Sequence, residues 1–193
     1  WSLATSDAHT GWSARNFKLV VDMATKPIVH FNFRRRLYMF KITKEYDMND
    51  RRLVYRPEEY SFDSIPLKNS DYYILFDTLQ LGFDSENNAC VQIFGFFPQV
   101  LKAEERDVLI PNSNKGSIIL LLDECQLDLG DSIRFVQSDS WVSYYSPRKG
   151  YTYFGKEKLS DSVEYVEFYP DCIAALNEKG DIEAFWLKVN FEE

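Results

Sequence analysis

The chain has 193 residues, of which 45% are hydrophobic and 27% charged, and its formal net charge is −8. That length is enough for one full hydrophobic core, and the composition excludes a disordered or fibrous chain. The longest apolar run, "IILLL" at 118–122, is far shorter than the roughly 18 residues a membrane-spanning helix needs, so no span is expected.

In chain order, the polar, small-residue-rich opening reads as a flexible leader or tag-like segment over 1–16, followed by a single β-rich domain over 17–193. "FKLVVDM" (17–23) and "IVHFNF" (28–33) flank "ATKP" and read as a hairpin. From Thr43 to Ser70 the periodicity dissolves, which predicts a long surface excursion with one short strand at Leu53–Tyr55. Strands are expected at 72–81 and 89–97. The first is apolar on both faces, as a central strand covered on both sides would be. "PQVLKAEERDVLI" (98–110) has good helix formers behind a proline and is the best helix candidate. Further strands are expected at 117–122, 132–137, 140–146, 151–154 and 163–169. A C-terminal hairpin turns on "EKG", where Gly180 supplies a positive φ. The sum is a mainly β fold, with antiparallel sheets forming a sandwich or open barrel and one or two short helices.

Chemistry is sparse. There is no GxSxG, HExxH, Walker loop or GxGxxG, and the only histidines are His9 and His30. The three cysteines, Cys90, Cys125 and Cys172, are far apart, with no CxxC. Their spacing offers neither a disulfide framework nor a zinc site, so no cofactor or metal is expected; unpaired cysteines suit the cytoplasm. "LLLDECQLDLGD" gathers Asp123, Glu124, Asp128 and Asp131, which serve either as solvated turn residues or as acids for proton transfer. "FRRRLY" and "DRRLVYR" interleave arginine with aromatics in the manner of a nucleic-acid contact. The balance of the whole chain argues against that use. Residues 1–60 carry 11 Lys/Arg against 7 Asp/Glu, whereas 61–193 carry 11 against 23. A surface that acidic repels phosphates and anionic lipids and attracts basic proteins.

The densest aromatic stretch is "SWVSYYSPRKGYTYFG" (140–155). As a hairpin it would bring Trp141, Tyr145, Tyr151 and Tyr153 onto one side, with Arg148 and Lys149 at the tip. Such rings either stiffen the hairpin by cross-strand packing or form a recognition surface. With the acidic surface, they predict a non-catalytic protein that binds and inhibits a basic partner such as a toxin domain or nuclease. Small bacterial immunity proteins share that profile by composition alone. Self-association is left open. The alternative is a carboxylate-dependent enzyme or a small-ligand β-barrel with its cavity between the inner faces of strands 72–97 and 117–154.

Overall fold

A computed structural model describes residues 39–48, 50–122 and 127–192. The expected leader at 1–16 and the expected hairpin at 17–33 lie outside the described residues, as do His9, His30 and Cys125. In chain order the strands are β1 (Phe40–Thr43), β2 (Arg52–Arg56), β3 (Ser61–Ile65), β4 (Tyr72–Phe76), β5 (Leu79–Phe83) and β6 (Cys90–Phe96). One helical turn, α1 (Gln99–Lys102), precedes β7 (Glu104–Glu105), β8 (Asn114–Lys115), β9 (Ser117–Leu120) and β10 (Ser132–Arg134). The C-terminal half supplies β11 (Val142–Ser146), β12 (Tyr151–Gly155), β13 (Val163–Tyr169), β14 (Cys172–Asn177) and β15 (Ile182–Lys188).

The fold is mainly β, as the composition predicts, and takes the form of a sandwich. A six-stranded sheet in the order β10-β4-β5-β6-β3-β2 faces a seven-stranded sheet in the order β7-β11-β12-β15-β14-β13-β8, and β1 pairs with β9 as a separate ribbon. Pairing is antiparallel except where the short strands β10, β7 and β8 attach in parallel. Strand alternation sends every second side chain between the sheets. Ile74, Phe76, Leu79, Leu81, Phe62 and Tyr55 come from one side; Phe154, Phe185, Val166 and Phe168 come from the other. Phe76 is the hub, its ring 4.8 Å from Phe135, 5.6 Å from Trp141 and 5.0 Å from Phe185 by centroid. The sheets close by capping their edges rather than by curling into a barrel. Asn190–Glu192 runs along β2, where the Tyr55 N–H donates to the Asn190 carbonyl at 2.7 Å and the Glu192 N–H to the Tyr55 carbonyl at 3.0 Å.

Three expected elements are corrected. The stretch 72–81 is a hairpin, not one strand: Asp77, at φ 55°, and Thr78 form the turn, and Phe76 pairs with Leu79. A two-residue turn switches the parity of core positions, so Ile74 and Phe76 and then Leu79 and Leu81 all point inward. That switch is what makes a single strand look apolar on both faces. The excursion at 43–70 contains the β2–β3 hairpin, with Leu53, Val54, Tyr55, Phe62 and Ser64 all buried. Its charges, Arg52, Arg56 and Asp63, occupy the alternate positions and hid that alternation. The helix at 98–110 stops after one turn because Glu104 and Glu105 pair with Tyr144 and Tyr145. A turn this short has little intrinsic stability against strand pairing. The C-terminal hairpin forms as expected, with Gly180 at φ 71°; its carbonyl accepts the Phe40 N–H at 3.1 Å, tying β1 to the turn.

Candidate functional site

The aromatic hairpin β11–β12 forms, but its register divides the rings differently from the sequence expectation. Tyr144 pairs with Tyr153, Tyr145 with Thr152 and Ser146 with Tyr151. Directly paired residues share a face, so odd-numbered positions of β11 lie with even-numbered positions of β12. The expected grouping of Trp141, Tyr145, Tyr151 and Tyr153 on one side is therefore corrected. Trp141 is buried among Phe76, Phe135, Phe154 and Phe185, and Tyr145 packs against the same core. Tyr151 and Tyr153 point the other way, to the outer face of the seven-stranded sheet, together with Tyr144.

On that outer face Tyr144 stacks on Tyr153 at 6.1 Å, and Trp186 receives Tyr153 at 5.1 Å and Tyr165 at 5.7 Å, both edge-on. The segment Arg106–Ile110 straps across these rings. The Arg106 guanidinium lies 4.7 Å over the Tyr144 ring, Val108 is buried, and the Trp186 indole N–H donates to the Leu109 carbonyl at 2.9 Å. The hairpin tip closes onto the strap. The Lys149 ammonium donates to the Val108 carbonyl at 2.7 Å and reaches Asp107 at 3.3 Å, and Arg148 donates to Asp107 at 2.8 Å. The Lys149 hydrogen bond, with Arg148 beside it, holds the Asp107 carboxyl below the usual carboxylate range. Burial pushes the Tyr151 and Tyr153 hydroxyls up. Arg148 and Lys149 are thus engaged in holding the strap rather than standing free as a charged lip.

A second clamp holds the other side of the same face. Glu183 on β15 is fully buried and accepts from the Lys156 ammonium at 2.6 Å, the Ser160 N–H at 2.8 Å, the Ser160 hydroxyl at 2.7 Å and the Asn177 amide at 2.9 Å. Burial alone would raise its pKa. The Lys156 ammonium and the three other donors outweigh that and bring it down to about 2. Both carboxylate oxygens are engaged, Oε1 by three donors and Oε2 by the Ser160 N–H, so Glu183 holds the loop after β12 in place.

The remaining candidates do not converge. Asp123 and Glu124 lie outside the described residues. Asp131 accepts the Asp128 N–H at 2.9 Å through its side chain and returns its own N–H to the Asp128 carbonyl at 3.0 Å, which makes this pair a turn. Cys90 and Cys172 are buried free thiols; burial pushes the Cys90 thiol up to about 12 and raises Cys172 likewise, so neither is a ready nucleophile. Among the described residues no three His, Cys, Asp or Glu side chains gather in a metal-binding group. The space between the sheets is filled by rings. A groove of about 390 Å³ lies instead at the sandwich edge, lined by Lys44, Asn114, Lys115, Glu164 and Tyr165 among others. Among the described residues no helix is long and apolar enough to cross a membrane.

The outer face of the six-stranded sheet is built in the opposite way. Its outward positions include Leu75, Gln80 and Phe94, which are neighbours across β4, β5 and β6, and then Phe96 beside Ser61 and Arg56. The loop before β4 crosses only one end, where Ser70 sits against Gly82 and its hydroxyl meets the Gln92 side chain at 2.9 Å. Along this row Leu75 and Phe94 are half-buried, and Phe96 is 51% exposed. Sequence reasoning passed over Phe94, Phe96, Asp107 and Glu183. Phe96 follows Gly95, which has φ 123°. No family model matches the chain, and no curated protein matches it.

Proposed function

We propose that this is a non-catalytic binding protein that docks on a basic protein partner, such as a toxin domain or nuclease, and neutralises it in the manner of an immunity protein. The observation that carries this reading is how the charges are distributed. Among the described residues Arg56, Lys115, Arg134, Arg148, Lys149 and Lys156 are spent in ion pairs. Lys102, Arg106 and Lys188 lie over tyrosine rings. Among the described residues, exposed acids such as Glu58, Glu86, Glu104, Glu157 and Asp161 have no cation within ion-pair distance. Exposed cations such as Lys41, Lys68 and Lys158 stand free as well, so what makes the field negative is the excess of acids over residues 61–193, 23 Asp/Glu against 11 Lys/Arg.

Such a field accelerates encounter with a positive partner, covers a phosphate-binding surface, and repels nucleic acid and anionic membrane. Two buried, unpaired thiols favour a reducing compartment, the cytoplasm. The test uses the full chain as bait against lysate of its source and products of neighbouring genes, at low and at high salt. The expected result is a basic protein retained at low salt, released by salt, whose activity falls when the chain is added. Retention of nothing basic at low salt overturns the reading.

A further inference from the structure

We propose that the outer face of the six-stranded sheet, around the exposed ring of Phe96, is where the partner sits, and that the partner offers it a basic segment carrying an apolar side chain. This rests on the reading just given and adds the face and the chemistry of the contact. The rings lie together on β6 and its neighbours, with Gln80 between Phe94 and Leu75. Phe94 lies two positions from Phe96 on β6, and its ring is 5.8 Å from Tyr73. Phe96 meets Tyr60 at 6.3 Å. On the turn that follows, Leu101 is 48% exposed, and the Lys102 ammonium covers the Tyr60 ring at 5.1 Å.

The flanks specify the sign of the occupant. On the β2 side Arg56 is surrounded by Glu59, Asp63 and Glu192, and with Arg52 farther along the strand two positive groups stand against three negative. On the β4 side Arg134 stands between Asp77 and Asp139, one against two. Glu104 and Glu105 are exposed just beyond Lys102. An apolar row with net negative ground at both ends favours a positive segment, and it disfavours a second copy of a chain whose own net charge is −8. Exposed rings at the centre of a patch with a charged rim are the usual layout of a binding hot spot.

The experiment follows fluorescence anisotropy of two labelled peptides of equal charge, one alternating lysine with leucine and one alternating lysine with serine. Each is titrated with the wild-type chain, with Phe96→Ser, with Leu75→Ser, and with Leu109→Ser as a control on the opposite face. The expected result is salt-sensitive binding of both peptides, tighter for the leucine peptide, with that advantage reduced about tenfold by Phe96→Ser or Leu75→Ser and untouched by Leu109→Ser. Equal binding of both peptides, unchanged in Phe96→Ser and Leu75→Ser, would overturn the assignment of the face while leaving the acidic-binder reading intact. Failure of either peptide to bind would remove both. Loss of the advantage in Leu109→Ser alone would move the contact to the strapped face. Self-association abolished by Phe96→Ser in light scattering would replace the basic partner with a second copy.

Discussion

The two outer faces of this sandwich begin from similar material and end differently. Each presents aromatic side chains outward: Tyr144, Tyr151, Tyr153, Tyr165 and Trp186 on the seven-stranded sheet, and Tyr73, Phe94 and Phe96 on the six-stranded one. On the first, a strap and a loop cross the rings and are fastened by Asp107 and Glu183, each paired with its own lysine. On the second, the crossing loop sets Ser70 against Gly82, and Phe96 at the far end is 51% exposed. Outward rings therefore do not define an interface. What separates stiffening from recognition is whether the chain brings its own polar groups to cover the rings, and here the aromatic-rich hairpin is the covered one.

Ordered by size of effect, the first way to break this comparison is Trp141→Ala. If Trp141 belongs to the core rather than to any surface, truncation leaves a cavity among four rings and costs about 3–5 kcal/mol, read from urea unfolding with an unchanged slope. Next comes the clamp of the covered face. Glu183→Ala removes a fully buried acceptor of four donors and leaves Lys156 unpaired, for a loss of about 3 kcal/mol in the same measurement. Glu183 also predicts a pH dependence. Its folded pKa, about 2, lies below the roughly 4.3 of an unfolded glutamate, so between those values the unfolded chain binds more protons. Its contribution is complete above the unfolded value and is lost as pH falls from there toward 2; the acid limb should flatten in Glu183→Ala.

A smaller effect is expected at Asp107, whose partners Arg148 and Lys149 hold the strap at the surface. Asp107→Asn should leave the unfolding midpoint nearly in place while hydrogen exchange at the Trp186 indole N–H speeds up, because its acceptor is the Leu109 carbonyl of the same strap. The smallest belongs to the other face. Phe96→Ser should change stability by no more than about 0.5 kcal/mol, since half of that side chain is already in water. A large loss there would mean that Phe96 holds the fold.

Much of the architecture was legible in the residues. The alternation of "VEYVEFY" places β13 at Val163–Tyr169, and the glycine in "EKG" sets the C-terminal hairpin. What escaped was parity across turns. Asp77–Thr78 reverses a run that reads as continuous, and the loop between Ser146 and Tyr151 decides which of Trp141, Tyr145, Tyr151 and Tyr153 share a face. Residue spacing within a strand fixes a side; spacing across a loop does not until the register is known. The strap escaped for another reason. Helix-forming residues at 98–110 carry a real preference, yet the backbone hydrogen bonds that β7 makes to β11 outweigh it after one turn. The acids were visible as a count, but which of them are neutralised by neighbours is a property of the fold alone.

Hydroxyl-radical footprinting of the free protein, read residue by residue, compares the two faces with no partner required. Phe96 should be labelled rapidly, while Trp186 and Trp141 stay protected until the chain unfolds. Labelling of Trp186 as fast as Phe96, or protection of Phe96 in the monomer, would contradict the division into one strapped face and one open one.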